Sequence, residues 1–319
     1  MGAGSVPILQ SRTLYLDADG LAYYCAGNDE TPIGQARSRL KEKIDSMQAA
    51  CGAGKVVLLL TGSGSHKGHR YAIARVKPYQ GQRANSRRPK NWALLRELLE
   101  SGAFGTREVY LDREADDAFG QHGWADPENT AIGADDKDMR MVPGYHVGWR
   151  DNRVCYLPPD TYDMQFGDKQ FGMKWFWLQM LHGDSADQIP GLPRVGVEPA
   201  MRDADDKLRV LSMTGNKLAL CGEVTAGKLI AACKTNAEAA AVVSCAYMSF
   251  YKERYLVEML EQACLLWMRR GPKAHYLDCL LSGGPMACFN NDGYPIQGAV
   301  LEIEQRVKEA DAINSIKGE

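Results

Sequence analysis

The segments TLYL, residues 13–16, and KVVLLL, residues 55–60, decide the fold class of this chain. Both are short runs of strand-forming residues, and turn residues bound both of them. Between them, residues 33–50 place apolar side chains at helical spacing. A strand, a helix and a second strand in this order predict a βαβ unit.

The sequence on either side extends this unit. Further strands are predicted at Glu108–Leu111 and Thr130–Ile132, and helices at Asn91–Ser101 and Ala115–Trp124. The expected α/β fold is therefore a mostly parallel sheet covered by helices. Active sites of open α/β sheets form beyond the carboxyl ends of the strands. The residues expected there are Asp17, Gly62, Glu114 and Asp136.

From about Phe171 the pattern becomes helical. A turn-rich stretch, IPGLPRVG at residues 189–196, follows the first of these helices, and a charged helix is expected at Ala299–Ala312. The other helices are predicted at Met173–Leu181, Thr225–Cys233, Ala237–Ala246 and Tyr251–Met268. The second half of the chain is therefore expected to be mainly α-helical.

Composition excludes several protein classes. The chain has 319 residues, 45% apolar and 24% charged, which is enough for a sizeable core. The apolar run around Ala239–Val243 is broken by polar residues too soon to cross a bilayer, and the first residues lack the features of a signal peptide. Nine cysteines without a CxxC pair indicate reduced thiols. We expect a cytoplasmic protein with no membrane partner.

The net charge of −2 conceals two blocks of opposite sign. Residues 46–96 contain ten Lys or Arg and no Asp or Glu, whereas residues 108–138 contain ten acidic and two basic residues. A basic surface attracts polyanions, and concentrated carboxylates hold divalent cations. The two blocks together predict a protein that binds a polyanion and cuts it with the help of metal ions.

Acidic residues occur in pairs at spacings that bring their side chains together. Pairs two apart on a strand or three apart on a helix share a face. The groups are Asp17 with Asp19, Glu114 with Asp116 and Asp117, Asp136 with Asp138, and Asp184 with Asp187. Hydrolysis of a phosphodiester by two metals needs several carboxylates around ions about 3.5 to 4 Å apart. Four such groups can supply them.

One of these groups allows another interpretation. YLDADGL, residues 15–21, resembles the opening motif of haloacid-dehalogenase-type phosphatases, in which the first Asp is a nucleophile and the second an acid. Asp17 and Asp19 fit that spacing. This alternative accounts for neither residues 61–90 nor residues 183–196.

Five segments in order resemble the 5′-nuclease superfamily, above all the stand-alone phage 5′-3′ exonucleases. GDSADQIPG within the last segment is the most specific motif. The segments are LDADGLAYY (16–24), LTGSGSHKGHRYAIARVKPYQGQR (60–83), READDAFG (113–120), ADDKDM (134–139) and GDSADQIPGLPRVG (183–196). The superfamily also contains flap endonucleases and the 5′-nuclease domain of bacterial DNA polymerase I.

The resemblance implies a domain organisation. A PIN-like α/β domain is expected over residues 1–165, with a helical arch near residues 64–100. A helical region with a helix-hairpin-helix element that grips duplex DNA is expected over residues 166–271. It contains an insertion near residues 197–221, in which Asp203, Asp205 and Asp206 are expected to form a solvated loop. The tail, residues 272–319, lies outside the resemblance and has no assigned role.

The resemblance also implies a two-metal site with Mg²⁺, for which Mn²⁺ can substitute. The implied metal ligands are Asp17, Glu114, Asp116, Asp117, Asp136, Asp138, Asp184 and Asp187. Lys77 and Arg83 are expected to position the scissile phosphate. Contacts to DNA are expected from Lys67, Arg70, Arg75, Tyr79, Arg87, Arg88, Gly191, Arg194 and Gly196, with Tyr79 stacking on a terminal base.

Two positions depart from the family pattern. Gly62 stands where the family often has an Asp, and Gln80 stands where it commonly has a Lys after Tyr79. Lys77 is the predicted replacement for that lysine. A nuclease that has lost catalysis and only binds branched DNA is therefore a second alternative, although the other acidic positions are filled.

The expected function is metal-dependent 5′-3′ exonuclease activity at DNA 5′ ends, with RNA in RNA–DNA hybrids and 5′ flaps as further substrates. The expected partners are duplex DNA with a 5′ end or flap, and replication proteins. The stand-alone form favours a phage origin, and hence a role in phage DNA replication in the host cytoplasm.

Overall fold

The computed structural model describes residues 9–82, 87–209, 218–271, 275–290 and 295–317. The chain forms two compact units. The sheet unit comprises Met1–Gly68, Asn85–Thr161 and Met268–Ala274. The helical unit comprises His69–Ala84, Tyr162–Trp267 and His275–Glu319. Each unit is thus built from segments that are distant in sequence.

Strands and helices are numbered here along the whole chain. The strands are β1 (Leu9–Asp17), β2 (Ala53–Thr61), β3 (Thr106–Tyr110), β4 (Thr130–Gly133), β5 (Gly144–Val147), β6 (Val154–Leu157), β7 (Met164–Phe166), β8 (Lys169–Phe171), β9 (Arg194–Val195), β10 (Met201–Arg202), β11 (Leu208–Arg209) and β12 (Ala219–Leu220). The helices are α1 (Ala18–Ala26), α2 (Ile33–Cys51), α3 (Arg70–Ile73), α4 (Trp92–Glu100), α5 (Ala115–Ala125), α6 (Met173–His182), α7 (Glu223–Leu229), α8 (Asn236–Tyr251), α9 (Tyr255–Leu266) and α10 (Gln297–Lys317).

The sheet unit is built on a six-stranded sheet with the order β3-β2-β1-β4-β5-β6. All neighbouring strands are parallel except β5 and β6, which are antiparallel. The predicted α/β fold with a mostly parallel sheet is therefore confirmed. The chain order reverses between β1 and β4, and the carboxyl ends at such a reversal are where open α/β sheets bind ligands.

TLYL of β1 and KVVLLL of β2 form the centre of the sheet unit because their apolar side chains make its core. Residues 56–60 of β2 are all buried, because an interior parallel strand is covered on both faces. β1 buries Leu14 and Leu16 on one face, and these pack in one cluster with Leu21 of α1 and Leu40 of α2. β2 is apolar along its whole central part, and β1 alternates buried and less buried residues. The core therefore lies between these two strands and the helices that cover them.

The predicted strands and helices of the sheet unit all form, but the prediction was incomplete. It missed α1, which begins directly where β1 ends, and it missed the antiparallel pair β5 and β6. Both strands of that pair are four residues long.

The helical unit contains the predicted helices. The prediction placed one of them at Thr225–Cys233, whereas α7 spans Glu223–Leu229. The insertion is more ordered than the expected solvated loop, because β10 and β11 form an antiparallel pair whose turn is closed by Asp203. Residues 210–217 lie outside the described residues. Within the described parts of the chain, no helix combines the length and apolar character needed to cross a membrane.

Glu108 on β3 gives the sheet unit a testable pH dependence. A hydrogen bond with His122, assisted by the Tyr110 hydroxyl, holds the pKa of Glu108 below its ordinary value despite partial burial. A carboxylate whose pKa is lowered by folding stabilises the fold above its unfolded pKa of about 4.3, and this stabilisation is lost as the pH falls through the folded value.

We therefore expect E108Q to lower the free energy of unfolding near neutral pH, and we expect the difference from wild type to shrink below about pH 5. Urea unfolding at a series of pH values measures this. A difference that stays constant from neutral pH down to about pH 3 would contradict the assignment.

Candidate metal centre

Asp17 is fixed at the point where β1 ends and α1 begins. Its Oδ1 accepts a hydrogen bond from the Gly20 backbone amide at 2.8 Å and so caps the helix. A Cβ atom on Gly20 would lie 2.2 Å from Asp17 Oδ2, so the DADG motif needs glycine at its last position. The cap places the carboxylate beside the positive end of the helix.

Thr61, the last residue of β2, joins the first turn of α1 to the start of α5. Its amide donates to Asp19 Oδ2 at 2.9 Å, and its Oγ1 accepts from the Ala115 amide at 3.0 Å. Arg96 of α4 forms an ion pair with Asp19 and donates to the Thr61 carbonyl oxygen at 2.6 Å. These bonds hold both acidic segments at the same edge of the sheet. Sequence patterns gave no role to Thr61 or Arg96.

The start of α5 contributes three acids, of which Glu114 and Asp117 are buried, with 5% and 0% exposure. Asp117 Oδ1 accepts from the Arg269 backbone amide at 3.2 Å. Glu114 pairs with Lys67, whose Nζ lies 3.1 Å from Oε1. Asp116 is half-buried beside them in sequence. The first turn of a helix tolerates this concentration of negative charge better than other positions do.

Lys67 reaches Glu114 from an unusual backbone. Lys67, Gly68 and His69 all have positive φ values, 50°, 62° and 66°. Arg269 donates to the Gly68 carbonyl oxygen, and a Cβ on Gly68 would collide with that guanidinium group. The left-handed turn is thus fixed by a residue about 200 positions later, which no local pattern of the sequence could reveal.

The loop after β4 supplies the next acids. Asp136 Oδ1 accepts from the Asp138 amide at 2.8 Å and caps a short 3₁₀-helix, Lys137–Met141. Asp138 is buried, with 3% exposure, whereas its neighbour Asp135 is exposed. Because β4 pairs directly with β1, this loop lies next to the end of β1, where Asp17 is located.

Six predicted ligands therefore follow the carboxyl ends of β1, β3 and β4, as the sequence suggested. Three of them are buried carboxylates, which are costly unless positive charge balances them. All six donors are carboxylate groups, the ligands that hard cations such as Mg²⁺ and Mn²⁺ prefer. The donor set fits divalent cations of this kind.

Gly62 packs closely against residues 109–111. Its amide donates to the Tyr110 carbonyl oxygen at 2.8 Å. A Cβ at this position would lie 2.5 Å from Leu111 Cδ2 and 3.2 Å from Val109 Cγ1. These side chains would have to move to admit an Asp here.

The GDSADQIPG motif forms a tight hairpin in the helical unit. Asp184 and Ile189 exchange two backbone hydrogen bonds, at 2.7 and 2.8 Å. A Cβ on Gly191 would lie 2.2 Å from the Gly183 nitrogen, and both glycines have positive φ values. Asp184 Oδ1 accepts from the Ala186 amide at 2.8 Å. Asp184 and Asp187 are both buried.

Asp187 has close partners that the sequence did not predict. Its two carboxylate oxygens accept from the Tyr79 hydroxyl at 3.0 Å and from Gln80 Nε2 at 2.9 Å. Its carbonyl oxygen accepts from the Gln80 amide at 3.0 Å. The Tyr79 ring is buried, with 4% exposure, so the expected stacking on a DNA base is wrong for this conformation.

Two further expected DNA contacts are wrong for the same kind of reason. Arg70 is fully buried, and its guanidinium group donates to the Leu265 and Trp267 carbonyl oxygens, each at 3.1 Å. The Gly196 amide donates to Ser249 Oγ at 3.1 Å, so that amide is used within the helical unit. These residues stabilise the unit and do not offer groups to a phosphate.

The remaining predicted contacts differ in accessibility. Gly191 is buried and serves the close approach of the hairpin described above. The exposed predicted contacts are Arg75, Lys77, Arg87, Arg88 and Arg194. Arg83 lies outside the described residues.

Comparisons with known proteins gave structural matches only. No family model matches the chain, and no curated protein does. A structure of the bacteriophage T5 5′-exonuclease with bound zinc is similar over 93% of this chain and 98% of its own, with 14% identity and a TM-score of 0.47. A pseudo-enzyme–product complex of the bacteriophage T5 flap endonuclease with DNA and metal ions covers 93% and 99%, with 14% identity and a TM-score of 0.46.

The hairpin geometry can be tested by G191A. The positive φ and the 2.2 Å approach to Gly183 predict a loss of about 1 to 3 kcal/mol in the free energy of unfolding. Urea unfolding measures this. G222A is the matched control, because a Cβ there meets nothing within 4 Å and its φ is negative. Equal stability of the two variants would show that the close approach does not constrain the hairpin.

Proposed function

We propose that this chain is a divalent-metal-dependent nuclease that hydrolyses phosphodiester bonds of DNA from 5′ ends. The observation that carries the proposal is the set of buried carboxylates, Glu114, Asp117 and Asp138, at the carboxyl edge of a parallel sheet. Divalent metal ions held by such carboxylates would balance their charge and would supply the chemistry for hydrolysing phosphodiesters. We propose DNA as the substrate, and its 5′ end as the site of cleavage, because five sequence segments resemble the 5′-nuclease superfamily.

Two Mg²⁺ ions, with Mn²⁺ as a substitute, are the proposed cofactors. The chemistry that such ions supply is activation of a water and stabilisation of the charge that develops on the phosphate. The proposed ligands in the sheet unit are Asp17, Glu114, Asp116, Asp117, Asp136 and Asp138. Asp184 and Asp187 of the helical unit are proposed as further ligands.

Lys67 is proposed to bind an oxygen of the scissile phosphate. Its ammonium group already lies among the carboxylates, 3.1 Å from Glu114, and its side chain is largely buried. A lysine in this position offers a compact point charge to a phosphate oxygen. It supplies a positive charge that Gln80 does not.

The exposed basic residues are proposed to bind the DNA backbone. Arg75 and Lys77 lie in one exposed stretch, Arg87 and Arg88 lie in another, and Arg194 is exposed on β9. Such contacts neutralise phosphates without reading sequence, so affinity should fall steeply with salt. Arg83, which lies outside the described residues, is proposed from the motif alone to position the scissile phosphate.

The phosphatase alternative is disfavoured by the position of Asp19. That alternative needs Asp19 as a proton donor to a leaving group. In this structure the Asp19 carboxylate accepts a hydrogen bond from the Thr61 amide and forms an ion pair with Arg96. Asp19 instead fixes the start of α1, which follows Asp17 directly.

The proposal is tested with a 5′-labelled duplex, a 5′-flap duplex and an RNA–DNA hybrid, each incubated with Mg²⁺, Mn²⁺ or EDTA. Mononucleotides released only with metal indicate an exonuclease, and short oligonucleotides cut at the junction indicate a flap endonuclease. Binding without cutting under all conditions would overturn the proposal in favour of the binding-only alternative. We also propose that the chain acts in phage DNA replication and binds replication proteins. Pull-down experiments with such proteins test this part separately.

The metal site predicts a contrast between two neighbouring aspartates. D138N should lower metal-dependent cleavage by at least about 100-fold and weaken Mn²⁺ binding in calorimetry, because it removes a buried ligand. D135N removes the same charge from an exposed position of the same loop and should change neither by more than a few-fold. DNA binding in EDTA should be similar for both. Equal cleavage by both variants would remove Asp138 from the site.

Lys67 predicts a separate effect. K67M should lower cleavage at subsaturating DNA about 10- to 100-fold without weakening Mn²⁺ binding, because Glu114 loses a competing cation. K55M is the control, since Lys55 is exposed near the start of β2, at the opposite edge of the sheet. Cleavage by K67M at the rate of K55M would show that Lys67 has no contact with the substrate.

A further inference from the structure

Helix α10 in the tail, for which the sequence suggested no role, runs along the basic segment, residues 69–82. Arg306 Nη1 donates to the Ile73 carbonyl oxygen at 2.8 Å. Glu309 and Arg75 form an ion pair at 3.8 Å, and Asp311 lies 3.5 Å from His69. Residues of this one helix thus contact the start of the segment at several points.

The centre of this arrangement is Glu261 of α9. Its Oε1 accepts from the amides of Arg75 and Val76, both at 2.9 Å, and its Oε2 pairs with Arg306 Nη1 at 2.6 Å. The Glu261 and Arg306 side chains are only 1% and 8% exposed. Removing one charge of a buried pair leaves the other uncompensated, so the two residues depend on each other strongly.

A second carboxylate fixes the other end of the same stretch. Asp187 holds Tyr79 and Gln80 through three hydrogen bonds. Glu261 therefore fixes residues 75–76, and Asp187 fixes residues 79–80. Lys77 lies between the two anchoring points with its side chain exposed, and Arg75 lies at the first of them.

We propose that Glu261 and Arg306 are positioning residues that hold Arg75 and Lys77 in place for the phosphates of DNA. We assign to Glu309 the role of a counter-ion that competes with phosphate for Arg75. This inference rests on the proposed function, because it takes DNA as the ligand. It gives the tail a role in substrate binding.

The energetics favour this arrangement. A backbone that is fixed before binding avoids part of the ordering entropy that association otherwise costs. The Arg75–Glu309 pair is about half exposed on both sides and 3.8 Å apart, and such pairs are weak. A phosphate can therefore replace Glu309 at Arg75 at little cost.

The test uses the full chain and two variants of α10 with opposite expected signs. Duplex DNA binding in EDTA is measured by fluorescence anisotropy between about 50 and 200 mM salt. R306M should raise Kd about tenfold and reduce the slope of log K against log salt by about one, with R306K intermediate. E309Q should lower Kd about two- to threefold. E253Q removes an exposed carboxylate elsewhere in the helical unit and is the control.

Two further readouts separate positioning from a loss of stability. At saturating DNA the cleavage rate of R306M should equal that of wild type, so that KM rises while kcat is kept. Hydrogen exchange of the amides of Arg75 and Val76 should be faster in R306M and unchanged in E309Q. A variant that merely destabilises the fold cannot bind DNA more tightly, so E309Q stays informative even if R306M does not fold.

The inference is overturned if wild type binds DNA and the folded R306M and E309Q bind it with the wild-type Kd. It is also overturned if exchange at Arg75 and Val76 is the same in R306M and wild type, a result that needs no DNA. Failure of wild type to bind or cut any DNA would instead refute the proposed function, and the exchange result would still decide whether Arg306 positions the segment.

Discussion

The cost of burying negative charge at one edge of a parallel sheet governs the architecture of the sheet unit. Glu114, Asp117 and Asp138 are out of solvent, and the chain meets that cost with helix ends, backbone amides and the ammonium group of Lys67. Thr61 and Arg96 then fix the two acidic segments against each other. The fold thereby concentrates carboxylates at one edge of the sheet.

Strands, helices and the acidic positions were predictable from sequence because each depends on local patterns. A continuous apolar run such as KVVLLL is typical of a buried strand in a parallel sheet. Acids that follow the ends of parallel strands lie at the same edge of the sheet, because all of these strands point the same way. Arg70 and Tyr79 were misassigned because a basic or aromatic side chain has the same signature whether it meets DNA or its own chain. The partners that decide between these outcomes are up to about 200 residues away, and no periodicity reports them.

The two carboxylates that anchor the basic segment illustrate this limit. Asp187 belongs to a motif that suggests a metal ligand, yet both of its oxygens also accept hydrogen bonds from Tyr79 and Gln80. Glu261 lies in a helix with no motif at all, and its three partners come from two distant parts of the chain. Gln80 suits this position because its side-chain amide donates to Asp187.

The separation in sequence between the basic segment and its anchors has a consequence for the order of folding. Ile73 and Arg306 are 233 residues apart, and Arg75 and Glu261 are 186 apart. Loops of this size close late, since the entropy of bringing distant residues together must be overcome first. During synthesis residues 69–82 are made before α9 and α10, so their contacts with these helices form only after both helices have left the ribosome. The segment can therefore reach its final geometry only after α9 and α10 have been synthesised.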